Sequence, residues 1–287
     1  MRKGANTNMK VKVLIENTTD SDLIAEHGLS IYIEFNNKKI LLDAGTTSAF
    51  MDNASKMNVN IANVDLCVLS HGHYDHSGGF AKYLDTYNDK KIYAMNTAIE
   101  EYYSGSGGHI HEIDIPRNVY PAYKDNFIFI DKPVEIFAGI YLIPHNIAGL
   151  EKIGERAKLY RKVNDEYLPD DFSHEMSLVF DTNKGLVVFN SCSHSGIVHI
   201  IEEVKAYFDN KMVYAFFGGL HMKGKKDDKE ICTFSEEEIQ RMVGYLKQNR
   251  LNKLYTGHCT GLVGYELIKK YMGENVEYLM TGREICI

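Results

Sequence analysis

Three histidines and an aspartate crowd into six consecutive residues, HGHYDH at 71–76, with only Ser70 between them and the apolar run LCVL at 66–69. A short apolar run bounded by polar residues reads as a buried strand. The cluster therefore stands at a strand's end, where a rigid support fixes side chains while the following loop leaves room for a ligand. Histidine is the commonest protein ligand for divalent metals, and the spacing of His71 and His73 can turn both imidazoles toward one ion from a tight turn. Asp75 and His76 extend the same loop and could hold a second ion, about 3.5–4 Å from the first, so that the pair clamps the oxygens of a substrate. The bland alternative is a chance group of surface histidines. With twelve histidines among 287 residues such a cluster is rare by accident, and the added aspartate makes it rarer.

The rest of the chain alternates short β-rich runs with helical ones. Strands are expected at 11–15, 29–35, 39–42, 64–69 and 91–95, with Asn36-Asn37 as a hairpin turn. Helices are expected at 48–57, 80–85 and 96–103. Further strands follow at 127–130, 134–137 and 140–143, and the charged, aperiodic stretch 151–171 reads as a surface loop or flap. A hairpin at 177–189 leads to helix 196–208, strand 212–217, helix 235–249, strand 253–255 and helix 261–272. Ser235 and Glu238 form a capping box, and Gly273 is a suitable C-cap. No repeat or linker divides the chain. The expectation is one α/β domain over 1–287, a four-layered αββα sandwich with sheet on sheet and helices outside, preceded by a flexible N-terminus at 1–10.

Charge and cysteine usage narrow the partners. A formal net charge of −7 without a basic block argues against nucleic acid and anionic membranes. Five cysteines, odd in number and without a C-x-x-C, disfavour a disulfide framework or an iron–sulfur cluster and suit a reducing compartment. The first ten residues lack the apolar core of a signal peptide, and no apolar run is long enough to span a bilayer. The expected location is cytoplasmic.

The HGHYDH stretch resembles the H-x-H-x-D-H signature of the metallo-β-lactamase superfamily, whose members share the αββα sandwich. The resemblance extends over most of the chain. It places the superfamily's early aspartate on Asp43 in LLDAG (41–45), its hairpin histidine on His174 in SHEMSL (173–178), and its late histidine on His258 in YTGHCTG (255–261). It implies that His71, His73 and His174, or His194 in its place, hold a first metal, and that Asp75, His76 and His258 hold a second. Asp43 would orient a ligand histidine without touching metal. The superfamily's bridging aspartate is missing: after the strand at 186–189 the chain reads NSCSHSG (190–196), which leaves Cys192 or His194 nearest that place. The stretches SCSHSG, GGLH (218–221), TGHCTG and AEHGLS (25–30) look like a subgroup related to an archaeal, dihydropteroate-synthase-like enzyme of methanopterin synthesis; most bacterial members are known only as predicted metal-dependent hydrolases.

Other residues are candidates for the substrate. His221 follows a strand and two glycines, and His27 precedes a strand start. Gly196 and Gly261 each open a helix beside a site histidine, so Ser195 and Thr260 stand where backbone N–H groups and the helix dipole would favour a phosphate or carboxylate. His109 and His111 follow a glycine-rich stretch and read as exposed, and His199 falls inside a helix. The reading adopted is a metal-dependent hydrolase in which hydroxide generated at the metal attacks a small anionic substrate, with Asp75, His194 and Asp43 as catalytic candidates. Zinc is the default ion for this ligand set, with iron or manganese also suited, in one or two copies. A transferase releasing pyrophosphate, and a metal-binding protein of the same fold with little catalysis, are the rival readings. The number of chains per assembly is left open.

Overall fold

Short β-branched runs bounded by turn residues build the first of two large sheets. The computed structural model describes residues 9–287, and the chain divides into two units. The first takes the chain up to Pro133, then Pro144–Met176 and Met280–Ile287; the second takes Val134–Ile143 and Ser177–Leu279.

In the first unit seven strands run edge to edge as Glu284–Cys286, Lys10–Ile15, Ser30–Phe35, Lys38–Leu42, Leu66–Val68, Ile92–Met95 and Phe127–Ile130. The Asn36-Asn37 turn has positive φ at both residues, the conformation of a tight hairpin, and Phe35 pairs with Lys38 across it. From Lys38–Leu42 onward the strands are parallel, and the apolar residues of Lys38–Leu42 and Leu66–Val68 are buried, as inner parallel strands require, while the edge strand Phe127–Ile130 leaves Phe129 exposed. Most of the expected tail lies outside the described residues. Its last two do not behave as a tail: Met9 is buried and exchanges backbone hydrogen bonds with Ile287, and Lys10 begins a strand.

Two expectations fail in this unit. The helix expected over 96–103 is a single turn, Asn96–Ile99, followed by the strand Tyr102–Ser104. A short helix has little intrinsic stability, and the two tyrosines gain more by pairing with Leu159–Val163. The stretch expected as a loop over 151–171 holds the helix Glu151–Ala157 and a hairpin of Leu159–Val163 with Glu166–Pro169. Its buried side is small, contributing Leu159 to a cluster with the flanking Leu150 and Phe172 and with Tyr102 and Ile113, so the charged outer face dominates the sequence.

In the second unit the order is Val276–Leu279, Lys253–Gly257, Val213–Phe217, Gly185–Phe189, Met176–Thr182, Ile140–Pro144 and Val134–Phe137. The first four are mutually parallel. Helix Ile197–Tyr207 buries Ile197, Ile200, Ile201 and Val204, a helical spacing, and Glu236–Gln248 does the same with Ile239, Met242, Val243 and Leu246. The capping box of Ser235 and Glu238 is formed. The two-stranded hairpin of Lys223–Lys226 with Lys229–Cys232 and the closing strands Val276–Leu279 and Glu284–Cys286 are additional to the expected elements. Both units are mixtures of sheet and helix, the α/β class expected. Among the described residues no helix is long and apolar enough to cross a membrane.

Candidate metal centre

Ligands in open parallel sheets gather beyond the carboxyl ends of the strands, and both sets of candidate residues stand there. In the first unit Leu42 and Val68 are register partners, so Asp43 and Ser70 emerge side by side. Asp43 adopts a left-handed backbone (φ 58°) and is fully buried. Its Oδ1 accepts from the Ser70 backbone N–H at 2.8 Å, and its Oδ2 accepts from the Ser70 hydroxyl at 2.7 Å and pairs with His76 Nδ1 at 2.7 Å. The Ser70 hydroxyl also meets His71 Nδ1 at 2.8 Å.

Asp43 and Ser70 thus fix two of the three imidazoles by Nδ1. The rings themselves are buried and close: His71 lies 4.2 Å from His76 and 4.5 Å from His73, centroid to centroid. Imidazole nitrogens with a carboxylate are the donor set of zinc, and iron or manganese accept it too. With Nδ1 tied to an oxygen, Nε2 is the nitrogen that His71 and His76 would present to a cation, the usual arrangement of metal-ligating histidines. The residues present therefore fit a divalent ion.

Asp75 is buried on the one-turn helix Tyr74–Ser77, and its Oδ2 stands 3.6 Å from His76 Nε2 and 3.3 Å from His27 Nε2. His27 itself is largely exposed. Its segment is pinned to the cluster by the Leu29 N–H donating to the Asp75 carbonyl at 3.2 Å, and a Cβ on Gly28 would stand 2.6 Å from that carbonyl oxygen. His174 is buried with both ring nitrogens engaged. Nδ1 accepts from the Gly72 N–H at 2.9 Å, and Nε2 pairs with Asp170 Oδ2 at 3.0 Å. Burial, then the charge of Asp170, push the phenol of the neighbouring Tyr102 up.

In the second unit three loops follow neighbouring parallel strands: 190–196 after Gly185–Phe189, 218–221 after Val213–Phe217, and 258–260 after Lys253–Gly257. Ser193, His221 and His258 all have positive φ, backbone strain of a kind that collects at functional sites. The His194 and His221 rings lie 4.5 Å apart. Cys259 ties the loops together, accepting from the His221 N–H at 3.3 Å and donating to the Cys192 carbonyl at 3.6 Å. Burial raises its pKa, but hydrogen bonds with the side chains of Cys192 and His221, and then the charges of the His258 and His221 imidazoles, outweigh burial and hold the thiol well below its ordinary value.

The two helix N-termini expected to attract an anion differ. Glu230 Oε1 already accepts from Val263 N–H at 3.0 Å, so the end that Gly261 opens carries its own carboxylate. Thr260 is fully buried and its hydroxyl is spent on Leu220 N–H and Thr256. Ser195 is buried, and its carbonyl pairs with His199 Nδ1 at 2.9 Å. His109 is exposed and His111 half-buried. Three contributors escaped the reading of the sequence: Ser70, Asp170 and Cys259. Ser70 adjoins the cluster and Asp170 stands four residues before His174, but a serine or aspartate at such places has many innocent uses.

Comparison with known proteins agrees with the residues. Residues 23–146 match the model of the metallo-beta-lactamase superfamily. The chain is 28% identical over 306 aligned positions to the 7,8-dihydropterin-6-methyl-4-(beta-D-ribofuranosyl)-aminobenzene-5'-phosphate synthase of Methanocaldococcus jannaschii, covering 99% of each. It is 30% identical over 280 positions to the uncharacterized protein MJ0448 of the same archaeon, covering 96% of this chain and 100% of that one. Among solved structures, Tm1679, a metal-dependent hydrolase of the beta-lactamase superfamily, superposes with a TM-score of 0.79 at 25% identity, over 96% of this chain and 98% of the other. By family model, by full-length similarity and by fold, the chain belongs to the metallo-β-lactamase superfamily.

Proposed function

We propose that this protein is a metal-dependent hydrolase acting on a small, anionic molecule. The observation that supports the reading most is the packed cluster of His71, His73 and His76, with Asp43 and Ser70 gripping Nδ1 of two of its rings. The ligand candidates are His71, His73, Asp75 and His76 in the first unit and Cys192, His194 and His258 in the second. Both nitrogens of His174 already have partners, which argues against a ligand role for it. A divalent ion held there, zinc by donor chemistry, would supply Lewis acidity, lowering the pKa of a water and polarising the bond under attack.

The protein's own part is positioning. Asp43 and Ser70 hold ring orientations that a flexible loop would lose, and strand ends hold both. His27, exposed and beside Asp75, is placed to meet substrate from the solvent side. His221, half-buried beside His194, is the corresponding contact in the second unit. The full-length similarity to the archaeal synthase supports a second reading, transfer with release of pyrophosphate.

One experiment separates the two. Protein purified without added metal is assayed for metal per chain, then for turnover of bis(p-nitrophenyl) phosphate, and for pyrophosphate released from a pterin pyrophosphate and an arylamine. Bound metal with chelator-sensitive ester turnover is the expected result. Pyrophosphate release without it favours transfer, and a chain that holds no metal refutes both.

A further inference from the structure

The pair His174–Asp170 does something that a ligand role would not need. The Gly72 N–H is a fixed donor, so the nitrogen it points to, His174 Nδ1 at 2.9 Å, must accept and carry no proton. The proton of the neutral ring then sits on Nε2, which donates to Asp170 Oδ2 at 3.0 Å. Asp170 is held in turn, its Oδ1 accepting from the Phe172 N–H at 2.8 Å. His174, Asp170 and Phe172 are all fully buried or nearly so, and the His174 ring lies 4.0 Å from that of Tyr102. Every polar atom of the His174 ring is accounted for.

What this chain of bonds ends on is Gly72, the residue between His71 and His73. Gly72 is confined from the backbone as well: a Cβ there would stand 2.3 Å from the Ala98 carbonyl oxygen. The two constraints are linked, since the Thr97 hydroxyl donates to the Ser173 carbonyl at 2.8 Å. Ligation by His174 would require breaking a buried bond, leaving either the Gly72 N–H or the Asp170 carboxylate without its partner, and buried polar groups left so are costly.

We propose that His174 is a positioning residue: Asp170 sets its tautomer, and its Nδ1 clamps the Gly72 N–H and so fixes the turn that presents His71 and His73. The inference rests on the metal reading of that turn, and the test below tells its failure apart from the failure of that reading.

The test uses the full chain with His174→Ala and His174→Asn. The asparagine carries an amide oxygen at the level of Nδ1, able to accept from Gly72, but it has no atom to replace Nε2. Three quantities are read: hydrogen exchange of the Gly72 amide in metal-free protein, cobalt(II) ions bound per chain, and cobalt affinity with its visible spectrum. In His174→Ala, Gly72 exchange should speed up by about tenfold or more, and cobalt affinity should fall by about 10–100-fold at unchanged stoichiometry. In His174→Asn, protection and affinity should both return toward the parent, with the parental spectrum. One ion fewer, or a changed ligand field, in His174→Asn would show His174 to be a ligand and overturn the proposal. Parental Gly72 protection and cobalt affinity in His174→Ala would reduce it to a packing residue. Should the alanine variant fail to fold, the asparagine variant alone decides. Should the parent bind no cobalt, the metal reading fails, and Gly72 exchange still decides whether His174 holds the turn.

Discussion

Asp43 spends its two carboxylate oxygens on three donors, two from Ser70 and one from His76, in a fully buried setting. In the proposed reading Asp43 is an outer partner of metal ligands; removal of such a partner costs about 10–100-fold in metal affinity, and a buried donor left unsatisfied costs about 1–3 kcal/mol. Asp43→Asn keeps one acceptor but turns the other oxygen into a donor facing His76 and the Ser70 hydroxyl. Competition with a chelator should therefore show metal held at least tenfold more weakly, and a urea melt should show a loss of about 1–3 kcal/mol. Unchanged metal affinity would mean that Asp43 does not orient the ligand rings. At this scale the sequence was legible where residues stand together: 71–76 names itself. Asp170 did not, because its meaning depends on a tautomer and on the Gly72 N–H, nearly a hundred residues away along the chain.

Elements carry a pH dependence of their own. The small sheet of Glu166–Pro169, Leu159–Val163, Tyr102–Ser104 and His111–Glu112 gathers Glu101, Glu112 and Asp114. Burial, then the charges of Glu112 and Glu101, push Asp114 up to about 6 from an ordinary 3.8, against the pull of Arg117. The folded state therefore keeps a proton that the unfolded chain has already released between those two values. Its contribution to stability is present at the acid end of that window, is lost as pH rises through it, and levels off above about 6. Asp114→Asn has no such titration, so its melting temperature relative to the parent should rise from pH 4 to pH 7. A constant difference across that range would refute the assignment. Elements with one clear period were read well, helix Gly261–Met272 among them. The helix expected at 96–103 was misread because two tyrosines that are neutral in a helix are decisive in a strand once a partner arrives from residue 159 onward.

At the scale of the whole molecule, the two units are woven from separated segments: Val134–Ile143 joins a sheet with strands from 176 onward, while the last eight residues return to the first unit. No change in composition marks such crossings. The candidate metal-binding stretch 71–76 lies wholly in the first unit, and a ligand that binds only the folded state stabilises it by mass action, about 2.7 kcal/mol when present at a hundred times its dissociation constant. For a chain of this size that corresponds to a shift of roughly 5–10 °C. Treatment with a chelator should lower the melting temperature by about that much, restoration of zinc should reverse it, and His71→Ala should melt at one temperature with or without chelator. Where the melt shows more than one transition, the shift belongs to one of them. The shift should then fall on the transition that also moves in Asp43→Asn, because that residue braces the same cluster. A melt indifferent to chelator in the parent would remove the ion from the account of this fold, and with it the proposed chemistry.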